Sequence, residues 1–159
     1  MGVNLPDSDY HKMPFDSVRA WANINNMANL TAEKRFVQIE RLSPLALAYI
    51  GDAVYELYVR TFLLMPPKRM ADYHNLVIRQ VKAEAQAAKL EILEPYLTAL
   101  EKDILRRGRN ACRVKPKRLT LKVYQQATSF ETLIGYLYLT DFQRLQELLA
   151  KLKSIPKIS

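Results

Sequence analysis

Ser43-Pro44 at one end and Pro66-Pro67 at the other frame a segment that has little choice but to form one helix, through about Leu64. A serine hydroxyl caps the free N–H groups of a first turn, proline fits the first helical position, and proline beyond the end stops the helix. Similar punctuation recurs along the chain. The Ala-rich run from Asp72 to Leu93, closed by Pro95, predicts a second long helix. Thr98 with Glu101 three residues on is a capping box, and Gly108 is placed to end that short helix in the left-handed conformation. A long helix is expected from about Thr120 to Leu139. Asp141 then caps a last one through about Leu152, with Leu145, Leu148, Leu149 and Leu152 as its apolar stripe. Upstream, residues 1–15 with Pro6 and Pro14 read as a loose arm. Residues 16–42 hold two short helices, the second capped by Thr31 with Phe36 and Ile39 available for an apolar stripe. No segment alternates like a strand, and only 4 of 159 residues are glycine, which argues against many-turned β architectures and glycine-rich nucleotide loops. The expected fold is all-α: an arm and short helices over 1–42, one helical domain over 43–153, and a tail over 154–159.

Hydrophobic residues at 49% and charged residues at 25% are ordinary for a folded domain. The single Cys112 excludes an internal disulfide framework and a multi-thiolate metal site. No apolar run approaches the roughly 20 residues of a membrane span, and MGVNLPDSDYHK lacks a signal-peptide core. The expectation is a soluble cytoplasmic protein without membrane contact, or an organellar one if a transit peptide has been removed.

The net charge of +8 is concentrated in one place. Lys102, Arg106, Arg107, Arg109, Arg113, Lys115, Lys117, Arg118 and Lys122 face only Asp103 in sequence, so this segment carries the whole excess. Gly108 and Pro116 within it signal a loop. Forked guanidinium groups and point-charge ammonium groups at this density suit phosphate contacts, which makes a nucleic acid the natural partner. A solvated surface loop or an anionic membrane surface would carry the same signature.

Two isolated carboxylates stand out against this charge. In LALAYIGDAVYELYVRTFLL, Asp52 and Glu56 lie one turn apart beside Ala48 and Gly51. A mid-helix Gly-Asp pair costs on the order of 1 kcal/mol of helix propensity relative to alanine, so local stability does not explain it. Glu131 is the only acid between Asp103 and Asp141, and it sits one turn before Gly135 among Phe130, Leu133, Ile134, Tyr136 and Leu137. Two helices packed at their glycines would bring Asp52 and Glu131 together. Converging carboxylates plus water form a hard-oxygen site of the kind Mg²⁺ accepts. Equally, each acid could pair with a Lys or Arg, or face solvent. His11 and His74, the two histidines, form no HExxH motif, and Cys112 in a cationic loop is more often incidental than reactive. Tyr49, Tyr55 and Tyr58 are expected to serve the core.

Leu45 to Arg60 resembles the signature helix of the ribonuclease III catalytic domain, in the form found in Mini-III ribonucleases. The resemblance continues through KAEAQA (82–87), LRRGRNA (105–111) and ATSFETLIGYLYL (127–139), in order and spacing, and covers roughly residues 43–150. It implies an all-helical homodimer that cleaves double-stranded RNA with Mg²⁺, Mn²⁺ being a substitute, each subunit cutting one strand. It implies Asp52 and Glu131 as the catalytic, metal-holding acids. Larger family members carry two further carboxylates where this chain has Ala48 and Thr128, the reduced Mini-III pattern, which leaves more of the coordination to water and phosphate. Glu56 and Thr128 are possible supporting residues. Only nine residues follow Ala150, so no separate double-stranded RNA-binding domain is expected, and the grip on RNA falls to Arg106, Arg107, Arg109, Asn110, Lys115, Lys117 and Arg118. Glu84 stands where many Mini-III proteins have a Lys, and Tyr73-His74 matches a recurrent Leu-His element. The resemblance further implies maturation of large-subunit ribosomal RNA. Competing readings are a non-catalytic RNA-binding protein of the same fold, associated with ribosomal RNA, and a helical DNA-binding module.

Overall fold

The computed structural model describes residues 31–114 and 116–153, and these are helical with no strand among them. In chain order the helices are α1 Ala32–Glu40, α2 Pro44–Leu63, α3 Met70–Val81, α4 Ala83–Leu93, α5 Ala99–Ala111, α6 Leu121–Thr140 and α7 Phe142–Lys153, with a 3₁₀ turn Glu94–Tyr96 before α5. Residues from Ile39 onward form one compact unit. The expected arm over 1–15, the first of the two short helices, His11, Lys115 and the tail over 154–159 lie outside the described residues.

The architecture is organised around α6. From Ala127 to Tyr138 every residue is buried except Glu131, which is half-buried. A helix covered on all sides belongs at the centre of a domain. α2, α4, α5 and α7 pack around it. Phe130, Leu133 and Ile134 of α6, Tyr55 and Leu47 of α2, Leu93 of α4, Ile104 of α5 and Leu145 and Leu148 of α7 make up the fully buried core.

Several boundaries follow the local chemistry. The Ser43 hydroxyl accepts from the Ala46 N–H at 3.1 Å, and Pro44 opens α2. Thr120 caps α6 through the Val123 N–H at 3.2 Å, and the Asp141 carboxylate accepts from Arg144 N–H at 2.9 Å to start α7. The Thr98–Glu101 capping box is complete in both directions. Glu101, only 4% exposed, also receives a forked hydrogen bond from Arg144 at 2.8 and 3.1 Å, which ties α5 to α7.

Three expectations are corrected. The single helix from Asp72 to Leu93 is two helices broken at Lys82, whose backbone is extended (φ −62°, ψ 152°). The reason is a slip in the buried face. A helix continuing the face of Val77 would next bury positions 84 and 88, but Glu84 and Ala88 are exposed and Gln86, Ala87, Leu90 and Leu93 are inside. Gly108 does not end α5: the helix runs on to Ala111, and no described glycine has positive φ. Its lack of a side chain serves packing, since a Cβ there would lie 2.5 Å from the Thr132 hydroxyl and 3.1 Å from the Ser129 Cα on α6. Finally, Tyr55 is core and Tyr58 is half-buried, but Tyr49 is 83% exposed.

Candidate active site

α2 and α6 meet backbone to backbone. A Cβ on Gly51 would lie 1.8 Å from the Glu131 carbonyl oxygen, and one on Gly135 would lie 2.0 Å from the carbonyl oxygen of Leu47. Only glycine at both positions lets α2 and α6 meet this closely. Asp52 follows Gly51 and Glu131 precedes Gly135 by one turn, so the contact carries the two carboxylates to the same seam.

Their electrostatics reflect that placement. Burial pushes the Glu131 carboxyl up to about 7, the negative charge of Asp52 adds to the rise, and a hydrogen bond from the Gln86 side chain opposes it. Burial also raises Asp52, with Glu56 as the second cause. Neither Asp52 nor Glu131 is in an ion pair among the described residues. Glu56 is, with Arg60 one turn on. Of the readings left open for the acids, pairing with a Lys or Arg does not occur among the described residues, while Asp52 is exposed and Glu131 half-buried.

Gln86 went unnoticed in the sequence. It is 1% exposed, stands on α4 in the same stripe as Leu90 and Leu93, and holds the Glu131 carboxyl lower than burial alone would. The signal that could have found it is a polar residue at i relative to buried leucines at i+4 and i+7. Thr128 is buried, and its carbonyl accepts from the Thr132 hydroxyl at 2.7 Å.

The basic segment is divided by the fold. Arg106 forks onto Asp103 at 2.6 and 3.1 Å. Arg107 leans toward Glu40 at 3.8 Å, and the Tyr136 hydroxyl donates to the same carboxylate at 3.3 Å. Arg109, Asn110, Lys117 and Arg118 are exposed, and the three basic residues among them have no ion-pair partner among the described residues. Arg106 and Arg109 join Lys102 and Lys122 along a groove of about 380 Å³ between α4, α5 and α6, with Glu94 as its one acid. Lys122, Gln126 and Ser129 place this groove on a different side of α6 from Glu131.

Two carboxylates are few for a complete protein cage, and no group of three or more His, Cys, Asp or Glu converges among the described residues. What the pair offers is charge. Two acids held together without a protein cation, one of them pushed up by the other, would each be relieved by a divalent ion. The donor set fits such an ion with its remaining coordination open.

Comparison with known proteins agrees with this geometry. Residues 45–141 match the Ribonuclease III domain family. The chain belongs to the ribonuclease III family and is an endoribonuclease, a family whose enzymes generally depend on divalent metal. Within it the likeness is to Mini-ribonuclease 3: the Synechocystis protein of that name is 49% identical over 136 residues, spanning 86% of this chain and 91% of that one. The Thermosynechococcus vestitus protein is 52% identical over 112 residues, spanning 70% and 74%. A crystal structure of a protein from Fusobacterium nucleatum superposes with a TM-score of 0.67 at 27% identity, over 72% of this chain and 95% of that one. No described helix is long and apolar enough to cross a membrane.

Proposed function

We propose that this endoribonuclease is a Mg²⁺-dependent homodimer that cleaves double-stranded RNA, with precursor large-subunit ribosomal RNA as its substrate and with Asp52 and Glu131 as the metal ligands. The observation that carries the reading is the Gly51–Gly135 contact, which sets two acids side by side with no protein cation to pair them. Mg²⁺, or Mn²⁺ in its place, would supply a nucleophilic water and neutralise charge at the phosphodiester. The catalytic domain spans 43–153.

The chain's own residues account for the rest. Asp52 and Glu131 fix the cutting position by holding the ion at the α2–α6 seam. Arg109, Asn110, Lys117 and Arg118 contact backbone phosphates, together with Arg106 and Arg107 once they exchange Asp103 and Glu40 for RNA, and with Lys115. A partner that engages several of these exposed cations at once is extended and polyanionic, which fits a duplex and not a small molecule. Recognition through phosphates and 2′-hydroxyls follows duplex shape more than sequence.

Dimerisation is supported by the outer face of α2. Leu45, Tyr49, Ile50 and Leu57 are 40% exposed or more, an apolar stripe on the helix that also carries Asp52. Light scattering at micromolar concentration should give twice the 18.4 kDa chain mass. Competition between unlabelled duplex RNA and duplex DNA for a labelled RNA tests the substrate class: RNA should compete and DNA should not. Equal competition would point to a general phosphate binder.

A further inference from the structure

Glu40 is badly placed by the rules of its own helix. It is the last residue of α1, where the partial negative charge of a helix end disfavours a carboxylate, and no basic residue stands in that turn. What holds it lies on other helices. Within the compact unit that begins at Ile39, its Oε1 accepts from the hydroxyl of Tyr136 on α6 at 3.3 Å, and its Oε2 lies 3.8 Å from Nη1 of Arg107 on α5. The Tyr136 residue is buried, which fixes its hydroxyl as a donor, while the Glu40 and Arg107 side chains stay 38% and 29% exposed. Both contacts are long, so the carboxylate is held without being locked. A phosphate oxygen accepts from the same two groups, and a guanidinium grips it at least as well. Asn110, exposed one turn beyond Arg107 on α5, carries the line of donors onward.

We propose that the Arg107 guanidinium and the Tyr136 hydroxyl form a phosphate subsite of the RNA surface, and that the Glu40 carboxylate is a built-in competitor which a backbone phosphate displaces on binding. This rests on the reading of duplex RNA as the substrate. It gives a reason for an acid where both the helix end and a polyanionic partner disfavour one. The competitor sharpens selectivity. Displacing it subtracts from the affinity of any anion that meets Arg107 alone, whereas a duplex that also engages Arg109 and Asn110 offsets the loss through those contacts.

The test is binding of the full chain to a labelled RNA duplex, read by fluorescence anisotropy with chelator present so that nothing is cut. Wild type, Glu40→Gln, Glu40→Ala, Arg107→Ala, the Glu40→Gln/Arg107→Ala double variant and Glu33→Gln are titrated in parallel, and each is melted. Glu33 is an exposed acid of the same helix in no ion pair among the described residues, so its variant measures the general gain from one lost negative charge. Glu40→Gln and Glu40→Ala should each bind about threefold more tightly than wild type, beyond the gain of Glu33→Gln, with melting shifts of no more than about 4 °C. The double variant should gain over Arg107→Ala no more than Glu33→Gln gains over wild type. If both Glu40 variants gain only as much as Glu33→Gln, or if the gain survives in the double variant, Glu40 does not compete at Arg107 and the proposal falls while the RNA reading stands. Glu40 variants that melt far below wild type and bind no more tightly mark a purely structural acid, which overturns it equally. If wild type does not bind the duplex, the substrate reading falls and takes the subsite with it.

Discussion

Gly51 and Gly135 are in reciprocal contact: the space for a side chain on each is taken by backbone of the other's helix, at Glu131 and at Leu47. Because the obstacle is backbone, no rotamer change relieves it. Gly51→Ala and Gly135→Ala should each lose about 3 kcal/mol, the upper end of overpacking, despite the roughly 1 kcal/mol that alanine gains in helix propensity. Thermal melting checks this. The same variants should lose cleavage beyond what their folded fraction explains, since parting the helices parts Asp52 from Glu131.

This contact was legible in the sequence, because a glycine beside each isolated acid is a costly pattern inside helices. So were the ends of α2, α6 and α7, where Ser43, Thr120 and Asp141 announce themselves. The break at Lys82 was not, since neither glycine nor proline marks it and the helix propensity of the run is high throughout. Only the slip in the buried face between Val77 and Gln86 records it, and that needs the three-dimensional neighbours to interpret. Gly108 misled for a related reason: a glycine near a helix end serves as a terminator or as a place for close packing, and the choice belongs to Thr132 on another helix. Charge density located the basic segment, but only the fold shows Arg106 beside Asp103 and Arg107 beside Glu40.

Arg107 and Arg109 should therefore behave differently. Arg109→Glu is expected to weaken duplex RNA binding and lower the slope of log affinity against log salt by about 1, with little change in melting temperature. Arg107→Ala gives up its interaction with Glu40, half-exposed and long, and should cost about 0.5 kcal/mol of stability. Salt titrations and melts on the two variants separate these roles. An unchanged slope for Arg109→Glu would move the RNA surface away from α5.

Glu101 should govern acid stability. Burial alone would push its carboxyl up, but the Arg144 guanidinium and the Thr98 N–H outweigh burial and hold it below the ordinary carboxylate value. Its stabilisation is then present above that ordinary value and lost as pH falls through the lowered one. Glu101→Gln should cost roughly 2–3 kcal/mol at pH 7, with Arg144 left without its main partner. The gap to wild type should close in melts taken at progressively lower pH.

Lys89 should act at the alkaline end, as a group that destabilises the fold while it is charged. Burial lowers its ammonium to about 8, while its Nζ donates to the Gln80 carbonyl at 3.1 Å and side-chain oxygen at 2.8 Å. A folded value below the unfolded one means that the unfolded chain binds the proton more tightly between them, so stability rises with pH from about 8 toward 10.5. Lys89→Met should stabilise by about 1 kcal/mol at neutral pH, after allowance for partial exposure and the lost hydrogen bonds. That advantage should shrink in melts taken from pH 7 to 10.

The central claim is that Asp52 and Glu131 together hold the cation that makes this chain an RNA-cutting enzyme. Its most direct test is a gel assay of labelled duplex RNA with wild type, Asp52→Asn and Glu131→Gln, each with Mg²⁺ and with chelator, alongside duplex binding. The account predicts cutting by wild type with Mg²⁺ alone, and neither variant cutting although both are folded and still bind the duplex. Cutting at the wild-type rate by either variant would contradict it.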